Sequence, residues 1–152
     1  MKILIVSNNE SITELFSIYL EMLEIKPFEI VNEKPAIACS NPYDAAQKIL
    51  SSDFDVLVIG HRLNSLVNEP NSLSWKNHQK GTAIETLECI SSFLNGKTVI
   101  SDGYTTWNDN NIMSLYKKLG VKHFINRTPV NFKERFSNLL KCLSGTCDCS
   151  LF

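Results

Sequence analysis

An α/β domain whose parallel sheet is covered on both faces is what this sequence predicts, and three observations predict it. Short apolar, β-branched runs alternate along the chain with amphipathic helical patterns. Runs such as Val56-Leu57-Val58-Ile59 are apolar at every position rather than at alternate ones, as strands buried on both faces must be. The 152 residues are one domain's worth of chain, and 43% hydrophobic with 20% charged residues is an ordinary globular balance. Such alternation builds βαβ units with right-handed crossovers. The expected architecture is therefore a three-layer, doubly wound (βα)5 domain with a five-stranded parallel sheet.

Each element has its own signal. Lys2-Ile3-Leu4-Ile5-Val6 reads as the first strand. Ser11 and Glu14 have capping-box spacing, the serine oxygen and the glutamate each meeting a free N–H at a helix start. Ile12, Leu15, Phe16, Tyr19, Met22 and Leu23 follow at helical spacing, which predicts a first helix over 11–24. A second strand is expected at Ala36-Ile37-Ala38-Cys39, with Phe28-Glu29-Ile30-Val31 as an extension or an extra hairpin arm. The second helix runs from about Pro42 to Leu50, because proline suits a first helical position, where its missing N–H has no partner to lose. Phe54 to Ile59 is the strongest strand signal.

Residues 61–79 show no clear period and form a long inserted loop. Thr82 with Glu85 caps a third helix carrying Ile84, Leu87, Ile90 and Leu94, ended by Asn95-Gly96. A fourth strand is expected from Lys97 to Ile100. A fourth helix holds Ile112, Leu115, Tyr116 and Leu119 and is closed by Gly120. Val121 to Ile125 is the fifth strand. Asn131 and Glu134 cap a last helix with Phe132, Phe136, Leu139, Leu140 and Leu143 on one side. The domain thus spans 1–143, and 144–152 is expected to be a flexible tail.

Composition removes several function classes. No apolar run approaches the roughly 18 residues that cross a bilayer, and MKILIV runs straight into polar residues without a signal-peptide core. Five cysteines, unevenly spaced, fit a reducing cytoplasm better than a disulfide framework. A net charge of -1 gives no global pull toward nucleic acid, so neither a nucleic acid nor a membrane is an expected partner. The charge is nonetheless divided: residues 1–109 carry 8 Lys/Arg against 14 Asp/Glu, and residues 110–152 carry 7 against 2. No G-x-G-x-x-G and no Gly-rich phosphate loop after the first strand is present, which argues against a flavin- or nucleotide-dependent enzyme.

In an open parallel sheet, chemistry gathers beyond the carboxyl ends of the strands. The residues there are Ser7-Asn8-Asn9, Gly60-His61, Ser101-Asp102 and Asn126-Arg127. With the (βα)5 order, the segments KILIVSNNES, DFDVLVIG, KTVISDG and GVKHFINRTPV resemble the flavodoxin-like receiver domain of bacterial two-component response regulators, over about 1–143. That resemblance implies an acidic pair after strand one for Mg²⁺, an aspartate ending strand three to accept phosphate, a Thr/Ser after strand four and a lysine after strand five. Here those positions fall on Ser7 and Asn8, on Gly60, on Ser101 and on Arg127, with Phe124 in the place of the aromatic switch residue.

Mg²⁺ is a hard cation held by carboxylates and phosphate oxygens, and Ser7 and Asn8 offer only neutral oxygens. Glycine at 60 offers no nucleophile. Asp55 begins its strand and Asp102 lies past the serine, so neither replaces the acceptor. The expectation is a degenerate pseudo-receiver: not an enzyme, without a cofactor or metal, a phosphorylation-independent signalling module acting through another protein. The chain ends nine residues after the last helix, which leaves output to a partner. Lys117, Lys118, Lys122, Lys133, Arg135 and Lys141 mark a basic candidate interaction face on helix four, strand five and helix five, the face receivers use for homodimers and outputs. The alternative is a small-molecule or anion-binding regulatory domain that uses the vacated phosphorylation pocket.

Several residues stay open to two readings. Arg127 either reads an anion bidentately or is an ion-paired surface residue beside Asp102. Ser7, Asn8 and Asn9 either cradle a ligand or build the turn and cap the first helix. His61, His78 and Asp102 could meet as a metal site only if the long loop folds back, and two histidines 17 apart carry little specificity. The loop's Leu63, Leu66, Val67, Leu73 and Trp75 are too apolar for a solvated linker and suit a lid or a partner surface. Cys142, Cys147 and Cys149 lack an adjacent fourth zinc ligand, and Cys149-Ser150-Leu151-Phe152 is a poor prenylation box.

Overall fold

The computed structural model describes residues 2–7, 14–15, 18, 29–30, 37–38, 42–61, 63, 82–103, 106–126 and 132–143. Strands are β1 (Lys2–Ser7), β2 (Glu29–Ile30), β3 (Ile37–Ala38), β4 (Val56–Gly60), β5 (Thr98–Gly103) and β6 (Val121–Asn126). Helices are α1 (Pro42–Leu50), α2 (Ala83–Ile90), α3 (Asn110–Lys118) and α4 (Phe132–Leu143). Of the expected first helix, Glu14, Leu15 and Ile18 are helical. Its Ser11 cap, most of the 61–79 stretch, Asn131 and the 144–152 tail lie outside the described residues.

All strand pairs are parallel, in the order β2-β1-β4-β5-β6, with β3 also on β1. Because β4 runs along one edge of β1 at Ile3–Val6, β2 at Lys2 and Ile3 and β3 at Val6 and Ser7 must share the other edge. Six strand segments therefore fill five sheet positions. Glu29–Ile30 pairs parallel to β1, an extension of the edge rather than a hairpin arm; Phe28 and Val31 lie outside the described residues. The chain order reverses between β1 and β4, which puts the crevice of a doubly wound sheet at the carboxyl ends of these two strands.

The core explains the continuous apolar runs. Every residue of β4 is buried, as a central strand covered on both sides requires. Leu4, Val6, Leu57, Ile59, Val99 and Phe124 face one layer, where they pack with Ala45 and Ile49 of α1, Ile84 and Leu87 of α2, and Ile112 and Tyr116 of α3. Ile3, Ile5, Val56, Val58 and Ile125 alternate with these and are also buried, as are Phe136, Leu139 and Cys142 of α4. Thr86 of α2 donates its hydroxyl to the Pro42 carbonyl at 2.7 Å, pinning α2 to the start of α1.

Helix ends follow their chemistry. Thr82 caps α2 by accepting from the Ile84 N–H at 3.3 Å, and the helix tightens into a 3-10 turn over Ser91–Leu94 instead of running on as α-helix. Asp109 caps α3 by accepting from Asn111 and Ile112, a cap the spacing had not suggested. Gly120 follows the C-cap Leu119 with φ of +97°, the left-handed conformation that ends many helices.

At Gly120 a Cβ would meet nothing within 4 Å, so the penalty for a side chain is purely that of the backbone. Gly120→Ala is expected to lower stability by about 1 kcal/mol in urea denaturation, without a change of fold. An unchanged midpoint would contradict the left-handed assignment.

Candidate functional site

Three of the positions that the sequence assigns to the vestigial phosphorylation site come together at the carboxyl ends of the strands. Ser7 ends β1, Gly60 ends β4, and Ser101 lies near the end of β5. Asn8 and Arg127 lie outside the described residues. The strand ends themselves differ from expectation: β5 does not stop at Ile100 but continues through Ser101 and Asp102 to Gly103, between neighbours that pair with it on both sides.

That continuation changes which side chain stands beside position 60. In a parallel ladder, residues side by side project to the same face. Gly60 is in register with Asp102, and Ser101 with Ile59 and Phe124. Asp102, not Ser101, is the residue beside the glycine, and its side chain is buried. Ser101 turns to the opposite face, where its hydroxyl donates to the Ile59 carbonyl at 3.3 Å. It is spent on the strand ladder.

Glycine at 60 is not demanded by the backbone, since it has no positive φ. A Cβ there would meet the Ser7 hydroxyl at 3.6 Å and β1 backbone atoms at 3.7 and 3.8 Å, ordinary van der Waals contacts. The site therefore has room for a side chain to begin at position 60.

On the Ser101 face, the residue after Gly60 opens an aromatic cluster. The His61 N–H donates to the Asp102 carbonyl at 2.8 Å, and its ring is buried. His61 Nδ1 and the Tyr116 hydroxyl share a 2.6 Å hydrogen bond. Trp107 stands between them and β6, with ring centroids 5.9 Å from His61, 5.1 Å from Tyr116 and 4.8 Å from Phe124. Its indole N–H donates to the Ile125 carbonyl at 2.9 Å. Burial pushes the Tyr116 phenol far above its ordinary pKa, so the hydroxyl keeps its proton.

These contacts pin Phe124, the residue at the aromatic switch position, which is 0% exposed. An aromatic pair adds about 0.5–1.5 kcal/mol beyond area burial, and a hydrogen bond such as the indole's about 0.5–1.5 kcal/mol. Swinging Phe124 out forfeits its one ring pair with Trp107 and the burial of its own ring, the latter worth about 1.5–3 kcal/mol; together these give roughly 3 kcal/mol, and each ~1.4 kcal/mol is a tenfold change in population. A conformer with Phe124 swung out is thereby held to about one molecule in a hundred.

His61 is tied into this cluster through Nδ1. Among the described residues no group of three or more His, Cys, Asp or Glu side chains could hold a metal ion, and His78, Cys147 and Cys149 lie outside those residues. Leu63, the one residue of the long loop beyond His61 that is described, is fully buried in the core. The loop's stem is closed, because the Ala83 N–H donates to the His61 carbonyl at 2.8 Å.

The basic face is described in part. Lys117, Lys118, Lys122 and Lys141 are exposed, and residues 110–126 carry no Asp or Glu. Arg135 is different: it is half-buried and donates to the Asn126 carbonyl at 3.0 Å, so it supports the end of β6. The side chain of Lys133 lies outside the description.

No protein-family model matches the sequence, and no curated protein matches it. Solved structures do. The isolated REC domain of RcsB from Salmonella enterica serovar Typhimurium, in the presence of the phosphomimetic BeF3-, is similar with a TM-score of 0.62 at 15% identity, over 93% of this chain and 88% of that one. A CheY-like response regulator receiver domain protein from Methanospirillum hungatei gives 0.63 at 17% identity, over 94% and 93%. The chemotaxis protein CheY4 of Vibrio cholerae gives 0.62 at 18% identity, over 94% and 95%. The fold is that of response-regulator receivers. No helix among the described residues is long and apolar enough to cross a membrane.

Because the Cβ contacts at position 60 are ordinary, Gly60→Ala is expected to change stability by no more than about 0.5 kcal/mol. A loss of several kcal/mol on denaturation would mean that the site is closed around the glycine.

Proposed function

We propose that this chain is a receiver-like signalling module of the cytoplasm that works without phosphorylation and without catalysis, by binding another protein. The observation that carries the reading is paired. The acceptor position holds a glycine beside a neutral Ser7, and the aromatic residue that would report on an acceptor is already pinned inward by Trp107. Position 60 itself offers no carboxylate to a phosphoryl group, the Asp102 side chain beside it is buried, and the residue that phosphorylation would move has little freedom to respond.

The surface left to do the work is the α3–β6 face. Lys117, Lys118 and Lys122 stand exposed there with no acid on either element, while the first 109 residues are acidic on balance. A partner is recognised on this face by negative charge, whether another protein or the acidic side of a second copy. Exposed charges of this kind act mainly on association rate and salt dependence.

Incubated with Mg²⁺ and acetyl phosphate, or with beryllofluoride, the protein is expected to show neither a mass increase nor a change in its amide NMR spectrum. Gly60→Asp alone is expected to stay silent as well, because Ser7 supplies no charge for Mg²⁺ and the neighbouring Asp102 carboxylate is buried away from an open cation site. A stoichiometric, hydroxylamine-labile acyl phosphate on the natural sequence would overturn the proposal. For the face, a combined Lys117→Glu, Lys118→Glu and Lys122→Glu variant is expected to weaken capture of the cellular partner at least tenfold and to remove its salt dependence. Unchanged capture by the folded variant would exclude the face.

A further inference from the structure

Helix α3 is tied to the rest of the domain at few points. Of its nine residues only Ile112 and Tyr116 are fully buried, with Met113 and Leu115 half-buried and the others exposed. A helix this short does not persist alone in water, so its place depends on what those side chains hold. Tyr116 holds most. Its hydroxyl meets His61 Nδ1 at 2.6 Å, with Thr82 and the start of α2 close by. One phenol therefore joins α3 to the residue that follows β4, beside the start of α2. These ties converge where the inserted stretch leaves and rejoins the fold, at the Ala83 N–H to His61 carbonyl bond.

We propose that the Tyr116–His61 contact is a latch. The Tyr116 hydroxyl holds α3 closed on the sheet as a unit that opens separately from the rest of the domain, and so sets where Lys117 and Lys118 stand. The latch makes the stem at His61 and Ala83 the point from which the α3 face can be loosened. Its regulatory meaning rests on the reading of α3 and β6 as an interaction face, but the latch itself does not need a partner to be tested.

The physical reason for separate opening is the distribution of burial. The β1, β4 and β5 strands are buried on both faces and are released only by global unfolding, whereas α3 exposes most of its surface already. Regions with few buried contacts open below the global free energy. Removing the hydroxyl deletes the tie to His61 and leaves the ring in the core.

The test is native-state hydrogen exchange on the full chain carrying Tyr116→Phe. The amides of Met113 to Leu119 are expected to exchange about tenfold faster or more, and to exceed any acceleration in β4. His61→Phe, which keeps an aromatic ring and removes the ring nitrogen, is expected to give the same pattern, and the double variant no more than either single one. Equal acceleration across α3 and β4, no acceleration at all, loss of the fold in both variants, or an effect of Tyr116→Phe that His61→Phe does not reproduce would each overturn the latch. The exchange pattern reads the latch without any phosphodonor or partner, so its failure leaves the proposed function standing, and the reverse holds too.

Discussion

Trp107 is the side chain on which the arrangement of the carboxyl-terminal half depends. It comes from a 3-10 turn between β5 and α3, and it reaches into the layer between the sheet and that helix. Its indole N–H is used on the Ile125 carbonyl, its ring lies edge-on to Phe124 and Tyr116, and Tyr116 in turn reaches His61 at the end of β4. A tryptophan fixed at its polar atom and packed against three aromatic rings leaves its neighbours little room. The positions of Phe124, α3 and the stem of the inserted stretch all follow from it.

That constraint gives a physical account of how a receiver fold can persist with glycine at position 60. In a switchable domain, a bound group must favour one of two arrangements of a mobile aromatic residue, and it shifts the equilibrium only by its differential affinity. Here the arrangement is set by packing within the chain. On the proposed function, the glycine at 60 and the hydroxyl of Ser7 carry no conformational duty. The division of charge, with α3 and β6 free of acids, puts the basic surface of the proposed function on the two elements that pack against the tryptophan.

The sequence made most of the fold legible because hydrophobic period is a strong signal. Val56–Ile59 could only be a central strand, and Thr82 and Gly120 marked helix ends that the structure retains. The site was less legible, for two reasons of geometry. Ser101-Asp102-Gly103 are poor strand formers, so the strand was expected to end at Ile100; paired neighbours on both sides carry it three residues further, and that shift puts Asp102 rather than Ser101 beside Gly60. Trp107 sits in GYTTWND, a stretch without period, where no spacing shows that an indole will be 2% exposed. Arg135 was counted among surface charges because a helical arginine gives no sign that it will meet a strand-end carbonyl.

The central claim is that Phe124 occupies one inward position, held there by Trp107. Relaxation-dispersion NMR on the aromatic carbons of Phe124 and Trp107 in the unmodified protein tests it directly, because a second conformer exchanging on the microsecond-to-millisecond scale broadens those signals. The account predicts flat dispersion profiles for both rings, with and without Mg²⁺ and beryllofluoride. Exchange broadening shared by the two rings, with a minor state well above one per cent, would contradict it.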